Sequence, residues 1–152
     1  MLNQQISDFR LPATGEQIFS LASAQGRFLV IYFYPKDSTP GCTTEAQQFR
    51  DLYEEFAQLN TLIVGVSRDS IRSHENFKAK QNLPFELISD SDEILCTQFD
   101  VIKSKSMYGK QVRGIERSTF VLNPQAVLIK EWRAIKVPGH AQGVLDFIKS
   151  FK

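Results

Sequence analysis

The sequence has few cysteines, no long apolar run and no excess of charge of one sign. Its 152 residues include only two cysteines, Cys42 and Cys96, too few for a disulfide scaffold or a cysteine-based structural zinc site. The longest near-continuous apolar segment, 28–34, is far shorter than the roughly 20 residues that span a bilayer. The first residues lack the basic and apolar regions of a signal peptide. A cytoplasmic, thiol-reducing location is therefore expected.

Charge and composition exclude several other classes. The 18 basic and 17 acidic residues give a net charge of +1, which argues against nucleic acid and membranes as partners. A hydrophobic content of 42% is typical of globular proteins, and the length predicts a single domain over residues 1–152. Neither His74 nor His140 has partners at metal-ligand spacing, so no metal is expected. We interpret His74 as a solvated residue of a surface helix and His140 as a helix N-terminal cap.

Hydrophobic periodicity predicts a βαβ unit in the first half of the chain. Segment 28–34 is apolar on both faces, as in a central strand, and 62–66 is a second such strand. Between them, apolar residues recur at spacings of three and four, which predicts one amphipathic helix from position 40 to position 59. These positions are 46, 49, 52, 53, 56 and 59.

The pattern in the second half of the chain predicts both helices and strands. We expect a helix over 70–81, then a strand over 85–88 and a short helix over 91–99. The basic segment 103–114 contains two glycines and is interpreted as a loop. Last come a hairpin of strands 118–122 and 127–132 and a helix over 141–148. This order predicts an α/β fold of the thioredoxin-like type, with a mixed central β-sheet flanked by helices.

Cys42 is the residue whose position suggests chemistry. It stands near the third position of the predicted helix, with Thr39 as the N-cap and Pro40 as the first helical residue. Free backbone N–H groups and the positive end of the helix dipole favour a thiolate there. The alternative is that Cys42 is a small buried hydrophobe, as most cysteines are.

The residues before Cys42 fit a reactive thiolate. They form the pattern Pro-x-x-x-Thr-x-x-Cys, in which Pro35 ends the strand and shields a pocket. The Thr39 hydroxyl can both donate and accept a hydrogen bond near the sulfur. A thiolate that attacks an O–O bond needs a hold on both oxygens and stabilisation of the oxygen that leaves.

This pattern resembles that of the peroxiredoxins, thiol peroxidases that use no cofactor, and most of all the bacterioferritin comigratory protein, or peroxiredoxin Q, group. The resemblance runs in order through nearly the whole chain. It is carried by four stretches: FYPKDSTPGCTTE at 33–45, LISD at 87–90, KSMYG at 105–109 and GIERSTF at 114–120.

The resemblance implies that Cys42 is the peroxidatic cysteine and Thr39 its hydroxyl partner. Arg117 is then the active-site guanidinium, Glu45 orients it, and Pro35 completes the pocket. A lone arginine on a strand is more often solvent-facing or salt-bridged, and it is the motif context that favours a functional role for Arg117. The alternative for Glu45 is an acidic residue that complements the helix dipole.

One departure from the group concerns the resolving cysteine. Many relatives have it five residues after the first, where this chain has Gln47. The residue three after Cys42 is Glu45, which excludes a dithiol of the Cys-x-x-Cys type. A sulfenic acid at Cys42 must then be reduced by an external thiol or by Cys96, which is otherwise a packed structural thiol.

The function expected from these residues is reduction of hydrogen peroxide and small organic hydroperoxides by Cys42. The resemblance implies thioredoxin, glutaredoxin or glutathione as the reductant, and a monomer. The alternative is a redox-sensing or partner-binding module that uses oxidation of Cys42 as a switch.

Overall fold

The computed structural model describes residues 1–151 as nine strands, five α-helices and one short 3-10 helix. The strands are β1 (Arg10–Ala13), β2 (Gln17–Ser20), β3 (Phe28–Phe33), β4 (Thr61–Ser67), β5 (Glu86–Ser89), β6 (Ile102–Met107), β7 (Lys110–Ile115), β8 (Ser118–Leu122) and β9 (Leu128–Trp132). The helices are α1 (Pro40–Asp51), α2 (Tyr53–Gln58), α3 (Ile71–Gln81), α4 (Ile94–Gln98) and α5 (His140–Phe151), with the 3-10 helix at Leu21–Ala24.

Seven strands form one mixed sheet in the order β2-β1-β5-β4-β3-β8-β9. Strands β3, β4 and β5 are parallel, whereas β1, β2, β8 and β9 pair antiparallel with their neighbours. The predicted α/β fold with a mixed central sheet flanked by helices is confirmed. None of the helices within residues 1–151 is long and apolar enough to cross a membrane.

Strand β3 is buried on both faces because its side chains are apolar on both. Leu29, Ile31 and Phe33 enter one hydrophobic cluster, and the alternate residues Val30 and Tyr32 enter the other. Because side chains alternate along a strand, the two clusters lie on opposite faces of the sheet. Helices therefore cover the sheet on both sides.

The predicted helix between β3 and β4 is interrupted. Leu52 has φ −99° and ψ 2°, so α1 ends before it and α2 begins after it. Its periodicity is unbroken, since the apolar positions of both helices face the same cluster. Hydrophobic spacing alone therefore gave one helix where the backbone makes two.

The prediction of a loop over 103–114 is wrong. These residues form the antiparallel hairpin β6–β7, in which Met107 pairs with Lys110 across a two-residue turn. Tyr108 and Gly109 have φ of 52° and 78°, as both central residues of a type I′ turn require. The hairpin has no buried face over most of its length, so no alternating apolar pattern marks it.

Candidate active site

Cys42 is the third residue of α1 and is only 2% exposed. Helix α1 begins there because Pro40 takes the first helical position, where its missing N–H costs no hydrogen bond. The backbone carbonyl of Thr39 accepts the N–H of Thr43 at 2.9 Å, so Thr39 caps the helix as predicted, although through its backbone. The sulfur therefore lies at the helix N-terminus, where the helix dipole favours negative charge.

Arg117, the residue directly before β8, reaches Cys42. Ser118 pairs with Phe33, so Arg117 lies at the sheet edge where β3 ends and the segment leading to α1 begins. Its Nη2 lies 3.4 Å from Cys42 Sγ. Gly41 permits this approach, because a Cβ there would lie 3.2 Å from Nη2. A cation is thus held against the sulfur.

Glu45, one turn after Gly41, holds the guanidinium from the other side. Its Oε1 accepts a hydrogen bond from Arg117 Nη1 at 2.6 Å, while its Oε2 is buried without a hydrogen-bond partner among the described residues. Burial raises the pKa of Glu45 to about 7, although Arg117 opposes the rise. Burial also disfavours the charge on Arg117, but Glu45 and Cys42 outweigh it and raise the Arg117 pKa above its usual value.

The raised pKa of Glu45 predicts a pH dependence of stability. The folded protein holds the proton of Glu45 more tightly than the unfolded chain does. The contribution of this group to the free energy of unfolding is therefore complete below pH 4.5 and is lost as the pH rises through about 7. The slope is up to about 1.4 kcal/mol per pH unit. Urea unfolding between pH 5 and pH 8 should show this loss in the wild type and not in Glu45→Gln.

The comparison with Glu45→Gln isolates one group, because other titrating groups are common to both proteins. One of them is His140, whose pKa is lowered to about 4 by burial and by Arg117 and whose contribution has the opposite sign. If both proteins change stability equally between pH 5 and pH 8, Glu45 is not the titrating group.

Thr39 and Pro35 are less closely joined to the sulfur. The Thr39 hydroxyl donates to the Lys36 carbonyl at 2.8 Å, and no hydrogen bond joins it to Cys42 within residues 1–151. Pro35 is exposed and follows Tyr34, which is buried directly after β3. The structure brings Cys42 and Arg117 together, whereas it places Thr39 and Pro35 in the segment that precedes the helix.

His74 was predicted to be solvated, and this is wrong. It is fully buried on α3, where its Nδ1 lies 2.7 Å from Asp37 Oδ2 and its Nε2 lies 2.9 Å from the Ile88 carbonyl. The carbonyl can only accept, so Nε2 carries the hydrogen that joins His74 to Ile88. The pair ties the segment before Cys42 to α3 and β5.

Three more hydrogen bonds fix Asp37. Its carboxylate accepts from Tyr34 Oη at 2.6 Å and Ser73 Oγ at 2.8 Å, and its N–H donates to Asp69 at 2.9 Å. Burial disfavours the charge, but the bonds from His74, Tyr34 and Ser73 outweigh it and hold the pKa of Asp37 below its usual value. The atoms of Asp37, Asp69 and His74 that could bind a metal ion lie within 4.8 Å of one another, but they already take part in the hydrogen bonds of this cluster.

Removal of His74 should destabilise the fold strongly. His74→Ala leaves Asp37 buried without its partner, which costs about 3–5 kcal/mol for a buried pair. Ser73→Ala, the matched control, removes one hydroxyl and should cost about 1 kcal/mol. Because the pKa of Asp37 is lowered in the folded protein, its contribution to the free energy of unfolding is lost as the pH falls below about 4. In urea titrations, His74→Ala should show a smaller loss of stability over this pH range than the wild type. Equal unfolding free energies for wild type and His74→Ala would contradict the assignment.

Cys96 lies far from this arrangement in the fold. It is fully buried in the hydrophobic cluster of Phe33, whereas Cys42 belongs to the cluster of Tyr32 on the opposite face of the sheet. Burial and then Asp90 raise the pKa of the Cys96 thiol well above its usual value. The environment of Cys96 thus favours an unreactive thiol.

Two other residues have partners that the sequence did not indicate. Gln47, which stands where many relatives have the resolving cysteine, donates to Gln81 Oε1 at 2.9 Å. His140 lies at the first position of α5, but its Nε2 is 2.8 Å from Thr119 Oγ1 on β8. Its ring therefore joins α5 to the sheet rather than serving as the predicted cap.

Comparisons with known proteins show which family the chain resembles. Residues 2–131 match the AhpC/TSA family. The chain is 55% identical over 143 residues to peroxiredoxin Bcp of Xanthomonas campestris pv. campestris, which covers 94% of this chain and 89% of that protein. It is 47% identical over 148 residues to peroxiredoxin Bcp of Bacillus subtilis, covering 97% and 94%.

Solved structures give the same result. A mutant of peroxiredoxin Q from Xylella fastidiosa superposes with a TM-score of 0.95 at 45% identity, covering 99% of this chain and 96% of the other. The bacterioferritin comigratory protein of Xanthomonas campestris gives a TM-score of 0.90 at 54% identity, covering 94% and 91%.

These matches define the class of protein as a thiol peroxidase with a thioredoxin-like fold. The chain belongs to the AhpC/TSA family and, within it, to the peroxiredoxins of the bacterioferritin comigratory protein, or peroxiredoxin Q, group. It is therefore an oxidoreductase whose family reacts with a peroxide and is reduced by a thiol.

Proposed function

We propose that this peroxiredoxin reduces hydrogen peroxide and small organic hydroperoxides with Cys42 as its peroxidatic residue. The observation that carries the proposal is the 3.4 Å separation of Arg117 Nη2 from Cys42 Sγ at the N-terminus of α1. Helix and guanidinium together stabilise a negative charge on the sulfur. The inclusion of organic hydroperoxides is supported by the relative from Xanthomonas campestris, which has been studied for its alkyl peroxide reduction activity.

The reaction transfers one oxygen atom to the sulfur. The Cys42 thiolate attacks the terminal oxygen of the peroxide, an S–O bond forms and the O–O bond breaks. Cys42 becomes a sulfenic acid, and the departing oxide takes up a proton to give water or an alcohol. Arg117 stabilises the charge that moves from the sulfur to the leaving oxygen.

The remaining site residues act around this step. Glu45 orients Arg117 through its hydrogen bond to Nη1. The Thr39 hydroxyl already donates to Lys36, so its free lone pairs would accept the O–H of the bound peroxide. Pro35 follows the end of β3 at the start of the segment that leads to Cys42, and we assign it to the wall of the pocket on the family resemblance alone.

An external thiol then reduces Cys42. The thiol attacks the sulfenic acid to give a mixed disulfide and water. A second thiol then attacks the mixed disulfide, which forms a disulfide between the two reductant thiols and releases Cys42 as a thiol. Thioredoxin, glutaredoxin and glutathione all supply this chemistry. The alternative, a bridge to Cys96, requires two buried cysteines on opposite faces of the sheet to come within about 7 Å between Cα atoms.

Mass spectrometry distinguishes the two routes. After one equivalent of hydrogen peroxide, the intact protein should gain one oxygen at Cys42 and form no internal disulfide. Cys96→Ala should keep the turnover of the wild type. An intramolecular Cys42–Cys96 disulfide would overturn the external-thiol route.

A steady-state assay tests the function itself. Peroxide consumption is followed in parallel with the thioredoxin system, the glutaredoxin system and dithiothreitol. Sustained consumption of many equivalents of peroxide per protein is expected with at least one of them. Oxidation that stops after one equivalent with every reductant would instead indicate a redox-sensing module.

A further inference from the structure

The hairpin β6–β7 has no role in the site described above. It forms a separate two-stranded sheet, and every residue from 104 to 113 is exposed. Three of them are large apolar residues: Met107 is 51% exposed, Tyr108 98% and Val112 45%. Tyrosine, methionine and arginine are enriched at protein interfaces. An exposed arm with this composition indicates a docking surface.

The hairpin leaves the sheet at the edge where Cys42 lies. β7 ends at Ile115, and Arg117 follows two residues later. Arg113 forms an ion pair with Glu93, which also binds Arg68 directly after β4. Because β3, β4 and β5 are parallel, their carboxyl ends meet at this edge, which also carries the segment leading to Cys42.

The length of the hairpin suits a partner that reaches both its tip and the active site. Its six-residue strands project roughly 20 Å from the base. A folded protein of 100 residues has a radius of gyration of about 13 Å, so it is wide enough to span this distance.

Tyr108, at the tip of the hairpin, has an unfavourable backbone conformation that no contact of its side chain offsets. Tyr108 has φ 52°, a left-handed conformation that is unfavourable for a bulky residue, and asparagine, aspartate or glycine is usual at that turn position. Its ring makes no compensating contact with the fold, since it is 98% exposed. Backbone strain of this kind clusters at functional sites.

The hairpin is also strongly basic. It contains Lys103, Lys105, Lys110 and Arg113 and no acidic residue, so the rest of the chain has a net charge of −3 although the whole chain has +1. Within residues 1–151, neither Lys105 nor Lys110 has an ion-pair partner. These free cations complement an acidic surface.

We propose that the β6–β7 hairpin docks the thiol protein that reduces Cys42, an acidic dithiol protein of the thioredoxin or glutaredoxin type. The inference rests on the proposed function, in which Cys42 depends on an external thiol. Lys105 and Lys110 attract the partner, Tyr108 and Met107 contact it, and its reactive thiol is brought to the sheet edge that carries Cys42. A second copy of this chain fits less well, because a symmetric contact would bring the two basic arms together.

The test compares protein reductants with a small one. The variant Lys105→Glu with Lys110→Glu reverses the charge of the arm, and Tyr108→Ala removes the exposed ring. The matched control, Arg10→Glu with Lys80→Glu, makes the same charge change at exposed positions outside the hairpin. The probes are a thioredoxin and a glutaredoxin, each of net negative charge, and dithiothreitol.

The arm variants should lower kcat/KM for a protein reductant by about tenfold or more, because charge complementarity controls the association rate. The KM for hydrogen peroxide and the turnover with dithiothreitol should stay unchanged. The kcat/KM of the wild type should also fall with added salt, and that of the charge-reversed variant should fall less.

Several outcomes would overturn the docking proposal. They are an unchanged kcat/KM for both protein reductants, an equal loss in the control, and a loss that extends to dithiothreitol. Wild-type turnover with dithiothreitol but with neither protein would refute docking and leave the peroxidase function standing. No turnover with any reductant would refute the proposed function itself. Binding of a single-stranded DNA 30-mer by the arm, with reduction unchanged, would assign the arm to nucleic acid instead.

Discussion

Replacement of Cys42 by serine is expected to abolish peroxide turnover, because a hydroxyl is neither as acidic nor as nucleophilic as a thiol. The side chain lies in a closed site at 2% exposure, and serine is slightly smaller, so the fold should persist. The measurement is peroxide consumption with dithiothreitol, together with circular dichroism of the same sample.

Cys96→Ala serves as the matched control for this prediction. It removes the other cysteine, which lies on the opposite face of the sheet. We expect it to lose some stability, as truncations in a packed core do, and to keep its peroxidase activity. Turnover by Cys42→Ser at the wild-type rate would sink the assignment of the peroxidatic residue.

Removal of Arg117 is expected to slow the attack on peroxide by about 10²–10³-fold, the usual cost of deleting one preorganised group that stabilises transition-state charge. The guanidinium lies 3.4 Å from the sulfur, and no other described cation forms a hydrogen bond with it. The rate constant of Cys42 oxidation should be measured by stopped flow in single turnover, so that reduction by a thiol does not contribute.

Two further variants separate the charge of Arg117 from its geometry. Arg117→Lys keeps the charge but not the fork that binds Glu45 and the sulfur together, so an intermediate rate is expected. Arg72→Ala removes one exposed positive charge on α3 and should react like the wild type. An unchanged rate of Cys42 oxidation in Arg117→Ala would show that Arg117 does not stabilise the transition state of the attack on peroxide.

Periodicity and motif context predicted the fold class and the neighbourhood of Cys42 because both depend on short stretches of chain. β3 and β4 are apolar on both faces, so they are stable only where both faces are buried, at the centre of the sheet as a parallel pair. Pro40 and the helix that follows place Cys42 at a helix start. The approach of Arg117 to Cys42 is a contact across 75 positions, and only the resemblance to a family indicated it.

The features that were missed have physical reasons. His74 is polar in an otherwise polar helix, and its burial depends on Asp37, 37 positions away in the sequence. The β6–β7 hairpin lacks a buried face over most of its length, so its sequence does not show the alternation of apolar and polar residues that marks a strand. The one local signal is the Tyr108-Gly109 pair, which is an unusual form of a type I′ turn.

The central claim is that the folded environment of Cys42 activates its sulfur, and one rate constant tests it most directly. The second-order rate constant for oxidation by hydrogen peroxide should be measured in Cys96→Ala, which has one cysteine, when folded and when unfolded in urea at the same pH. We predict that the folded protein reacts at least about 100-fold faster, because folding brings Arg117 and the helix N-terminus to the sulfur. Equal rates in the two states would contradict the account.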